Sequence, residues 1–277
     1  MVDDRADGRA GSDDRAGPAV TVERERSVAV VTMNRPDRRN ALTRELKEAL
    51  RDAVTEVGAD PAVRAVVLAS SGSAFCVGQD LDEHAAALRA VGSTALTTVE
   101  QHYNPIVRGL AGMPKPVVGA INGTCVGAGL GFALACDLRI AAAGARFATA
   151  FAAIGLSADS GLSAFLVHAL GAARASELML LGEPFTAEQA TRWGLVREVV
   201  PAEQVREAAL ELAGRLAEGP TAAYAEIKKA LALGAVSSLD AALAAEAAAQ
   251  ARLGRTRDHA GAVEAFLAKR RPTFEGA

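Results

Sequence analysis

Short, wholly apolar runs alternate with amphipathic segments through the first half of the chain, and this alternation restricts the fold more than any other feature. Val28–Met33 (VAVVTM) and residues 63–69 (VRAVVLA) are typical of buried strands. Between them, Thr43 can cap a helix whose apolar residues recur at helical spacing until Gly58. A further helix is expected over residues 101–110. Strands that alternate with helices form parallel sheets covered by helices. The pattern therefore predicts an α/β core.

The pattern becomes helical in the second half of the chain. A helix is expected from about Ala173, a capping box at Thr186 and Gln189 predicts another, and Pro201 opens a third. Three more helices are expected before Arg271, and no internal sequence repeat is evident. We predict an α/β core over residues 18–216 and a helical C-terminal region over residues 217–277.

Charge and apolar runs indicate which partners to expect. The net charge is −3 at pH 7, and basic and acidic residues are interspersed, so neither nucleic acid nor an anionic membrane is expected. Glycine and charged residues interrupt the alanine-rich segments, so we expect no membrane-spanning run. Residues 1–17 are charged and glycine-rich, which predicts a disordered tail without a signal peptide.

Cysteine and histidine offer no pattern typical of a metal site. Cys76, Cys125 and Cys136 lie among apolar residues without a CxxC pair, which predicts buried thiols in a reducing, cytoplasmic setting. Four isolated histidines are expected to be ordinary helix or surface residues: His84, His102, His168 and His259. Neither a metal nor a redox cofactor is therefore expected.

Two segments combine a strand, a turn of small residues and a helix. In residues 74–81 (AFCVGQDL), Gly78 permits a tight turn that directs the Gln79 amide outward at a helix N-terminus. In residues 122–131 (NGTCVGAGLG), the Ala128 amide is a candidate free donor for the same reason. Two such amides can bind one oxyanion, although either turn alone is more often architectural.

Nucleotide-binding uses of the second turn fit poorly. Its spacing is G-x-G-x-G rather than G-x-G-x-x-G, and residues 148–151 (ATAF), about 20 positions later, offer no acid for a ribose. No Gly-Lys-Ser/Thr follows, so a phosphate-binding loop is not indicated either.

A single carboxylate, Asp159, lies in the otherwise apolar segment GLSADSGLS. One interpretation is a turn residue or helix N-cap, for which Asp, Ser and the following Gly161 are well suited. The other is a buried acid whose raised pKa lets it exchange protons. The segment by itself favours the first interpretation, because caps far outnumber catalytic acids.

Five segments together resemble the crotonase (enoyl-CoA hydratase/isomerase) superfamily, in its order and spacing from about Ala19 onward. They are NRPDRRNALT, AFCVGQDL, AINGTCVGAGLGFALACDLRIA, IGLSADSGLS and GEPFTAEQATRWGLV. The resemblance implies an α/β spiral core of ββα units and C-terminal helices that form a trimer contact. It also implies coenzyme A thioester substrates and homotrimers that often pair into hexamers.

The resemblance further assigns site residues by position. The amides of Gln79 and Ala128 would hold the thioester carbonyl oxygen. Phe266 and Lys269 match positions that reach a neighbouring subunit's nucleotide, although Lys269 is nearly as well explained as a solvated charge at a helix end. The remaining substrate and coenzyme A positions are Arg39, Ala41, Leu42, Ala74, Val77, Gly78, Asp80, Leu81, Gly127 and Phe151.

The chain departs from the family's hydratases at the acid positions. Those enzymes use two glutamates, one to activate water and one to supply a proton. Gly131 and Phe151 occupy these positions and cannot transfer protons. The residues therefore argue against an ordinary enoyl-CoA hydratase.

What remains is Asp159, at a position where isomerase branches of the family use one carboxylate. IGLSADSGLS is similar to the branch that acts on ring-epoxidised phenylacetyl-CoA, whose motif usually reads PDSGLS; here Ala158 replaces the proline. We predict an acyl-CoA isomerase with Asp159 as acid and base and coenzyme A only as part of the substrate. A hydratase, another acyl-CoA lyase or hydrolase, and a non-catalytic coenzyme A-binding scaffold are the alternatives.

Overall fold

The structure of the chain is a computed structural model that describes residues 17–91 and 95–276. The tail predicted over residues 1–17 lies outside these residues, apart from Gly17. Within them the chain forms ten strands and ten α-helices. The strands are β1 (Val20–Glu25), β2 (Val28–Met33), β3 (Ala65–Ser70), β4 (Ala74–Cys76), β5 (Val117–Ile121), β6 (Thr124–Val126), β7 (Leu138–Ala142), β8 (Arg146–Ala148), β9 (Phe185–Thr186) and β10 (Glu198–Val200). The helices are α1 (Arg44–Ala59), α2 (Leu81–Val91), α3 (Asn104–Gly112), α4 (Ala128–Ala135), α5 (Leu162–Leu181), α6 (Ala187–Arg192), α7 (Val205–Ala217), α8 (Thr221–Gly234), α9 (Leu239–Leu253) and α10 (Arg257–Leu267).

Six strands form a large sheet in the order β1-β2-β3-β5-β7-β10. β1 is antiparallel to β2, and the other neighbouring pairs are parallel, with Val67 of β3 opposite Val30 and Val118. Every residue of β2 is buried, as expected for a strand covered on both faces. The predicted α/β core is confirmed, and the apolar run at residues 63–69 is β3, shifted slightly toward the C-terminus.

A second sheet has the order β4-β6-β8-β9, in which β4, β6 and β8 are parallel and β9 is antiparallel to β8. Three units, β3–β4–α2, β5–β6–α4 and β7–β8–α5, each give one strand to the large sheet and one to the small sheet. The implied ββα units are confirmed despite the absence of a sequence repeat. Because β4, β6 and β8 are parallel, the segments that follow them lie at one sheet edge.

Local signals place several helices correctly. The Thr43 hydroxyl accepts a hydrogen bond from the Leu46 N–H, so Thr43 caps α1 as predicted. The capping box of Thr186 and Gln189 is present at the start of α6. Three helices follow Pro220, as expected.

Two helices differ from the prediction. The helix expected over residues 101–110 is a π-helical turn, Val99–Tyr103, that continues into α3. The helix expected from about Ala173 is confirmed as the second half of α5, which follows Gly171. Gly171, with φ +75° and ψ 164°, interrupts the helical backbone with a kink. The first half of α5 was not predicted; it begins at Leu162, after left-handed residues at Ser160 and Gly161.

By length and composition, α5 is apolar enough to cross a membrane, with a mean hydropathy of 1.4 over its most apolar window. Gly171, Arg174 and Glu177 interrupt the apolar sequence of this helix, and the expectation of no membrane-spanning run stays a prediction. One helix of this kind is weak evidence for a span, because core helices of globular proteins pass the same test. Leu162 and Leu166 are buried, and an ion pair joins Arg174 to Glu177.

The last three helices are much less buried than α7. α7 packs against β3 and β5 and buries residues such as Val205 and Ala209, whereas α8 and α9 bury none of their own. The predicted boundary near residue 217 coincides with the end of α7, and the division into two regions stays a prediction. Exposed apolar side chains on and between these helices are Ile227, Leu231, Val236, Leu239, Leu243, Val263, Phe266 and Leu267.

Gly129 lies where α4 closely approaches β4. A methyl group built on Gly129 would lie 2.6 Å from the Cys76 carbonyl oxygen and 2.7 Å from the Cys76 Cβ. Cys76, Cys125 and Cys136 are all buried, as predicted. Glycine at this position therefore lets the start of α4 lie directly against the strand that precedes the first turn.

We predict that Gly129→Ala destabilises the protein by about 1–3 kcal/mol, because the new methyl group overlaps the backbone of β4. Gly214→Ala is the matched control, since a methyl group there meets nothing within 4 Å, and it should stabilise α7 by about 0.5–1 kcal/mol. Urea unfolding at one protein concentration measures both. Equal effects of the two substitutions would contradict the close approach.

Candidate active site

The first turn after β4 presents the Gln79 amide. Gly78 has φ +85°, a conformation that favours glycine. The Leu42 N–H donates to the Gly78 carbonyl at 2.8 Å, and the Asp80 N–H donates to the Leu42 carbonyl at 3.3 Å. These two bonds flank Gln79 as in a parallel bridge. The Gln79 N–H consequently points away from Leu42.

The second turn follows β6 and begins α4. Gly127 has φ +57°, and its N–H donates to the Ala148 carbonyl at 3.0 Å. Ala128 is the first residue of α4, so its N–H has no acceptor within the helix. Within residues 17–91 and 95–276, neither the Ala128 N–H nor the Gln79 N–H has a hydrogen-bond acceptor.

The two turns are in contact. A methyl group built on Gly78 would lie 3.2 Å from the Val126 carbonyl oxygen and 3.7 Å from the Ala128 nitrogen. One built on Gly127 would lie 3.9 Å from both the Gly78 Cα and the Phe151 ring. The structure thus brings two free backbone donors together at the edge of the small sheet, which is the arrangement that binds an oxyanion.

A cavity of about 400 Å³ opens in front of these donors, with a mainly apolar wall. Most of the predicted site residues meet in it. They are Ala41, Val77, Gly78, Gln79, Asp80, Leu81, Gly127, Ala128, Phe151 and Asp159.

Five predicted residues lie outside the cavity wall. Leu42 and Ala74 are buried behind it, where Leu42 supports the first turn through its backbone. Arg39 lies nearby and donates to the Thr124 hydroxyl at 3.1 Å, whereas the adjacent Arg38 lines the cavity. Phe266 and Lys269 are exposed at and just after the end of α10. Their assigned contact with a neighbouring subunit stays a prediction.

Asp80 lines the cavity, but its carboxylate is already engaged. Arg35 pairs with it at 2.6 Å, and the Glu83 N–H donates to it at 3.1 Å. Burial opposes ionisation, but the Arg35 guanidinium and the Glu83 amide outweigh it and hold the pKa of Asp80 below its usual value. Asp80 therefore stays ionised and fixes the start of α2.

Asp159 lies partly buried in the cavity wall. Burial raises the pKa of its carboxyl group above the usual value, and a hydrogen bond of 2.8 Å from the Ser160 hydroxyl acts in the opposite direction. The Leu162 N–H donates to the Asp159 carbonyl, so residues 159–162 form a tight turn. Gly161 is the N-cap of α5, and none of the described side chains caps it. Asp159 therefore lies in a turn and is not a helix cap, and its role as a proton-exchanging acid stays a prediction.

The two positions expected for glutamates in a hydratase carry no acid into this cavity. Gly131 is buried within α4, and Phe151 forms part of the apolar wall. Asp159 shares the cavity with the two donors. It is consequently the cavity carboxylate that has no basic partner among the described residues.

Tyr103 is a cavity residue that the sequence did not reveal. It is 2% exposed, and its hydroxyl donates to the Gln79 side-chain oxygen. Burial, followed by the charge of Asp159, raises the pKa of Tyr103. The ring packs edge-to-face on Phe132 with centroids 6.0 Å apart.

A buried lysine supports Gln79 from the other side. Lys47, 2% exposed, donates to the Thr98 hydroxyl at 2.9 Å and to the Gln79 side-chain oxygen at 3.4 Å. Burial lowers the pKa of Lys47, and nearby Glu83 partly offsets this effect. One signal was available in the sequence, because Lys47 interrupts the apolar face that includes Leu46 and Leu50 in α1.

His102 belongs to the same network; it lies in a helical turn, which is one of the two expected locations, and it is not a surface residue. It is buried, and its Nδ1 lies 3.0 Å from the Thr98 hydroxyl. Its Nε2 lies 3.6 Å from a Glu48 carboxylate oxygen. Burial lowers the pKa of His102, as does the charge of Lys47.

The fold and the paired donors define a class of protein, and comparison with known proteins agrees. The model of the enoyl-CoA hydratase/isomerase family matches residues 23–277, and the chain belongs to this family of enzymes. The spiral of ββα units is the crotonase fold.

Individual relatives carry different activities. The 1,2-epoxyphenylacetyl-CoA isomerase of Escherichia coli K12 is 40% identical over 252 residues, covering 91% of this chain and 96% of the relative. The 2,3-dehydroadipyl-CoA hydratase of the same organism is 33% identical over 92% of this chain and 98% of its own. A solved Mycobacterium abscessus structure assigned to the enoyl-CoA hydratase/isomerases is 51% identical, with a TM-score of 0.90, and covers 94% of this chain and 100% of its own.

We predict that Tyr103→Phe destabilises the protein by about 0.5–1.5 kcal/mol, because the buried Gln79 oxygen loses its hydroxyl donor. Tyr224→Phe is the matched control, since the Tyr224 hydroxyl has no partner in the described part of the chain. Its effect should stay within about 0.5 kcal/mol. Urea denaturation compares the two, and a Tyr103 effect no larger than the control would contradict the assigned bond.

Proposed function

We propose that the protein is an acyl-CoA isomerase that moves a proton between two carbon atoms of the acyl group through a thioester enolate. The observation that carries this proposal is one partly buried carboxylate, Asp159, in the same cavity as the free amides of Gln79 and Ala128. The enoyl-CoA hydratase/isomerase family supports an acyl-CoA substrate.

The two amides would hold the thioester carbonyl oxygen. When a base removes a proton beside the carbonyl, negative charge builds up on this oxygen, and the preorganised N–H groups stabilise it. Each such donor contributes about 3–4 kcal/mol to transition-state stabilisation in enzymes where one has been removed. The helix start at Ala128 adds its dipole in the same direction.

Asp159 would carry the proton. Ser160 occupies its Oδ1, and within the described residues its Oδ2 has no hydrogen-bond partner. The ionised carboxylate accepts a proton from one carbon, the electron pair of that C–H bond shifts into the enolate, and the carboxylic acid returns the proton to a carbon two positions away. One acid therefore completes a 1,3-shift without consuming water.

The cavity wall favours an apolar or aromatic acyl group. Phe151, Ile154 and Leu81 contribute apolar surface, and Tyr103 adds a ring. The Escherichia coli relative named for 1,2-epoxyphenylacetyl-CoA supports an aromatic substrate. Arg38 at the cavity wall could meet a coenzyme A phosphate. The described residues hold no group of three or more metal-ligating side chains, and a reaction without a metal or redox cofactor stays a prediction.

Hydration is the rival activity, because another relative is named as a hydratase. A 2-enoyl-CoA and a 3-enoyl-CoA, each incubated with the protein, separate the two activities. Isomerisation moves the double bond and leaves the mass of the acyl group unchanged. Hydration adds the mass of water, and its predominance over double-bond movement would overturn the isomerase proposal.

We predict that Asp159→Asn lowers kcat by at least about 100-fold, because general acid–base catalysis typically contributes 10²–10⁴. Asp240→Asn, on the exposed start of α9, is the matched control and should leave turnover unchanged. Turnover of the 3-enoyl-CoA measures both. Wild-type activity in Asp159→Asn would remove Asp159 from the mechanism.

The raised pKa of Asp159 predicts the direction in which activity and stability change with pH. The base must be ionised, so kcat/KM should fall as pH decreases through a value above the usual carboxyl pKa. Because the folded state binds this proton at higher pH than the unfolded chain, stability decreases as pH rises through that interval. Asp159→Asn should therefore unfold at higher temperature than the wild type at pH 7. The difference should shrink in acid, and calorimetry across this pH range measures it.

A homotrimer or homohexamer in the cytoplasm is part of the proposal. The apolar side chains exposed on α8–α10 support an interface, and the buried, unpaired cysteines suit a reducing compartment. We expect light scattering to give three or six times the 28.4 kDa chain mass.

Leu231→Glu, which places a charge on exposed α8, should shift the population to smaller species. Val22→Glu on exposed β1 should not. A monomeric wild type would contradict the interface.

A further inference from the structure

Ser160 combines three unusual properties next to the proposed base. It is 1% exposed, and its φ of +52° places a non-glycine residue in the left-handed region. Its hydroxyl donates to Asp159 Oδ1 at 2.8 Å. Such a backbone conformation is unfavourable for serine and persists only where the surrounding structure imposes it.

The same residue fills the space above Gly131. A methyl group built on Gly131 would lie 2.4 Å from the Ser160 Cβ and 2.5 Å from the Ser160 carbonyl oxygen. Both distances are shorter than real side chains tolerate. Any side chain at position 131 would therefore have to displace the turn that carries Asp159.

We infer that Ser160 is a positioning residue that orients the Asp159 carboxylate and, by occupying the space above Gly131, excludes a second acid from α4. This inference rests on the proposed function. With Oδ1 held by Ser160, Oδ2 is left to face the substrate. The Asp159 turn and a glutamate at position 131 cannot occupy the same space, so the geometry selects proton shuttling by one acid over hydration by two.

Few titratable groups of the described residues surround Asp159, so the effect of the Ser160 hydroxyl on the pKa of Asp159 can be measured. α4 (AGLGFALA) presents no titratable side chain to the turn. Tyr103, on the turn before α3, interacts with the charge of Asp159, and His168 on α5 is exposed. In the described residues, the Ser160 hydroxyl is the group that favours the ionised carboxylate.

The first test is Ser160→Ala, which keeps the Cβ and removes the hydroxyl. With the 3-enoyl-CoA as substrate, we expect kcat to fall about tenfold with KM little changed. We also expect the acid limb of the kcat profile to move to higher pH, because the carboxylate loses its donor. Ser163→Ala, exposed on the first turn of α5, is the matched control and should change neither.

The outcomes are separable. If the wild type does not shift the double bond, the proposed function fails. If the wild type is active and Ser160→Ala retains the wild-type kcat and pH profile, only the Ser160 inference fails. A lower kcat without movement of the acid limb would indicate packing alone and would also overturn the positioning role.

The second test measures the contact with Gly131. Gly131→Ala should lower kcat by more than about tenfold, and the same substitution in a Ser160→Gly background should have a clearly smaller effect, because contacting residues are coupled. Circular dichroism confirms folding of each variant. Equal effects of Gly131→Ala in both backgrounds would contradict the steric role. If Gly131→Ala does not fold, the Ser160→Ala profile decides the inference.

Discussion

The parallel pairing of β4, β6 and β8 is the constraint on which the rest of the site depends. Parallel strands end at one edge of a sheet, so the three segments that follow them must meet there. The first two present the amides of Gln79 and Ala128, and the third places Phe151 in the cavity wall. Glycine at positions 78 and 127 permits the close contact between the first two turns.

In the described part of the chain, Gln79 separates an acid without a basic partner from a buried lysine. On the cavity side, Asp159 has no basic partner among the described residues, and burial favours its protonated form. On the far side, the buried Lys47 ammonium is held by Thr98 and by the Gln79 side chain, with Glu83 nearby. The Lys47 cation thus supports the Gln79 side chain and does not neutralise Asp159. A partly buried acid without a basic partner weakens the fold, and active sites commonly contain such groups.

Local patterns predicted the parts of the fold that depend on neighbouring residues. The strand Val28–Met33 and the cap at Thr43 follow from apolar runs and short-range hydrogen bonding, and both are confirmed. The second half of α5, after the kink at Gly171, was predicted, whereas the first half from Leu162 was missed because it begins after left-handed residues without a side-chain cap. The buried position of His102 depends on Thr98 and on packing between helices, which spacing cannot reveal.

The sequence by itself determined which acids are available. Gly131 and Phe151 stand where a hydratase would have acids, and Asp159 lies in an apolar segment. The sequence also determined the two glycine turns, because backbone freedom at such turns is a property of residue type. Only the tertiary structure decided that Asp159 and both amides share one cavity, and that Ser160 fills the space above Gly131. These relations join residues far apart in the chain, and long-range strand pairing and packing set them.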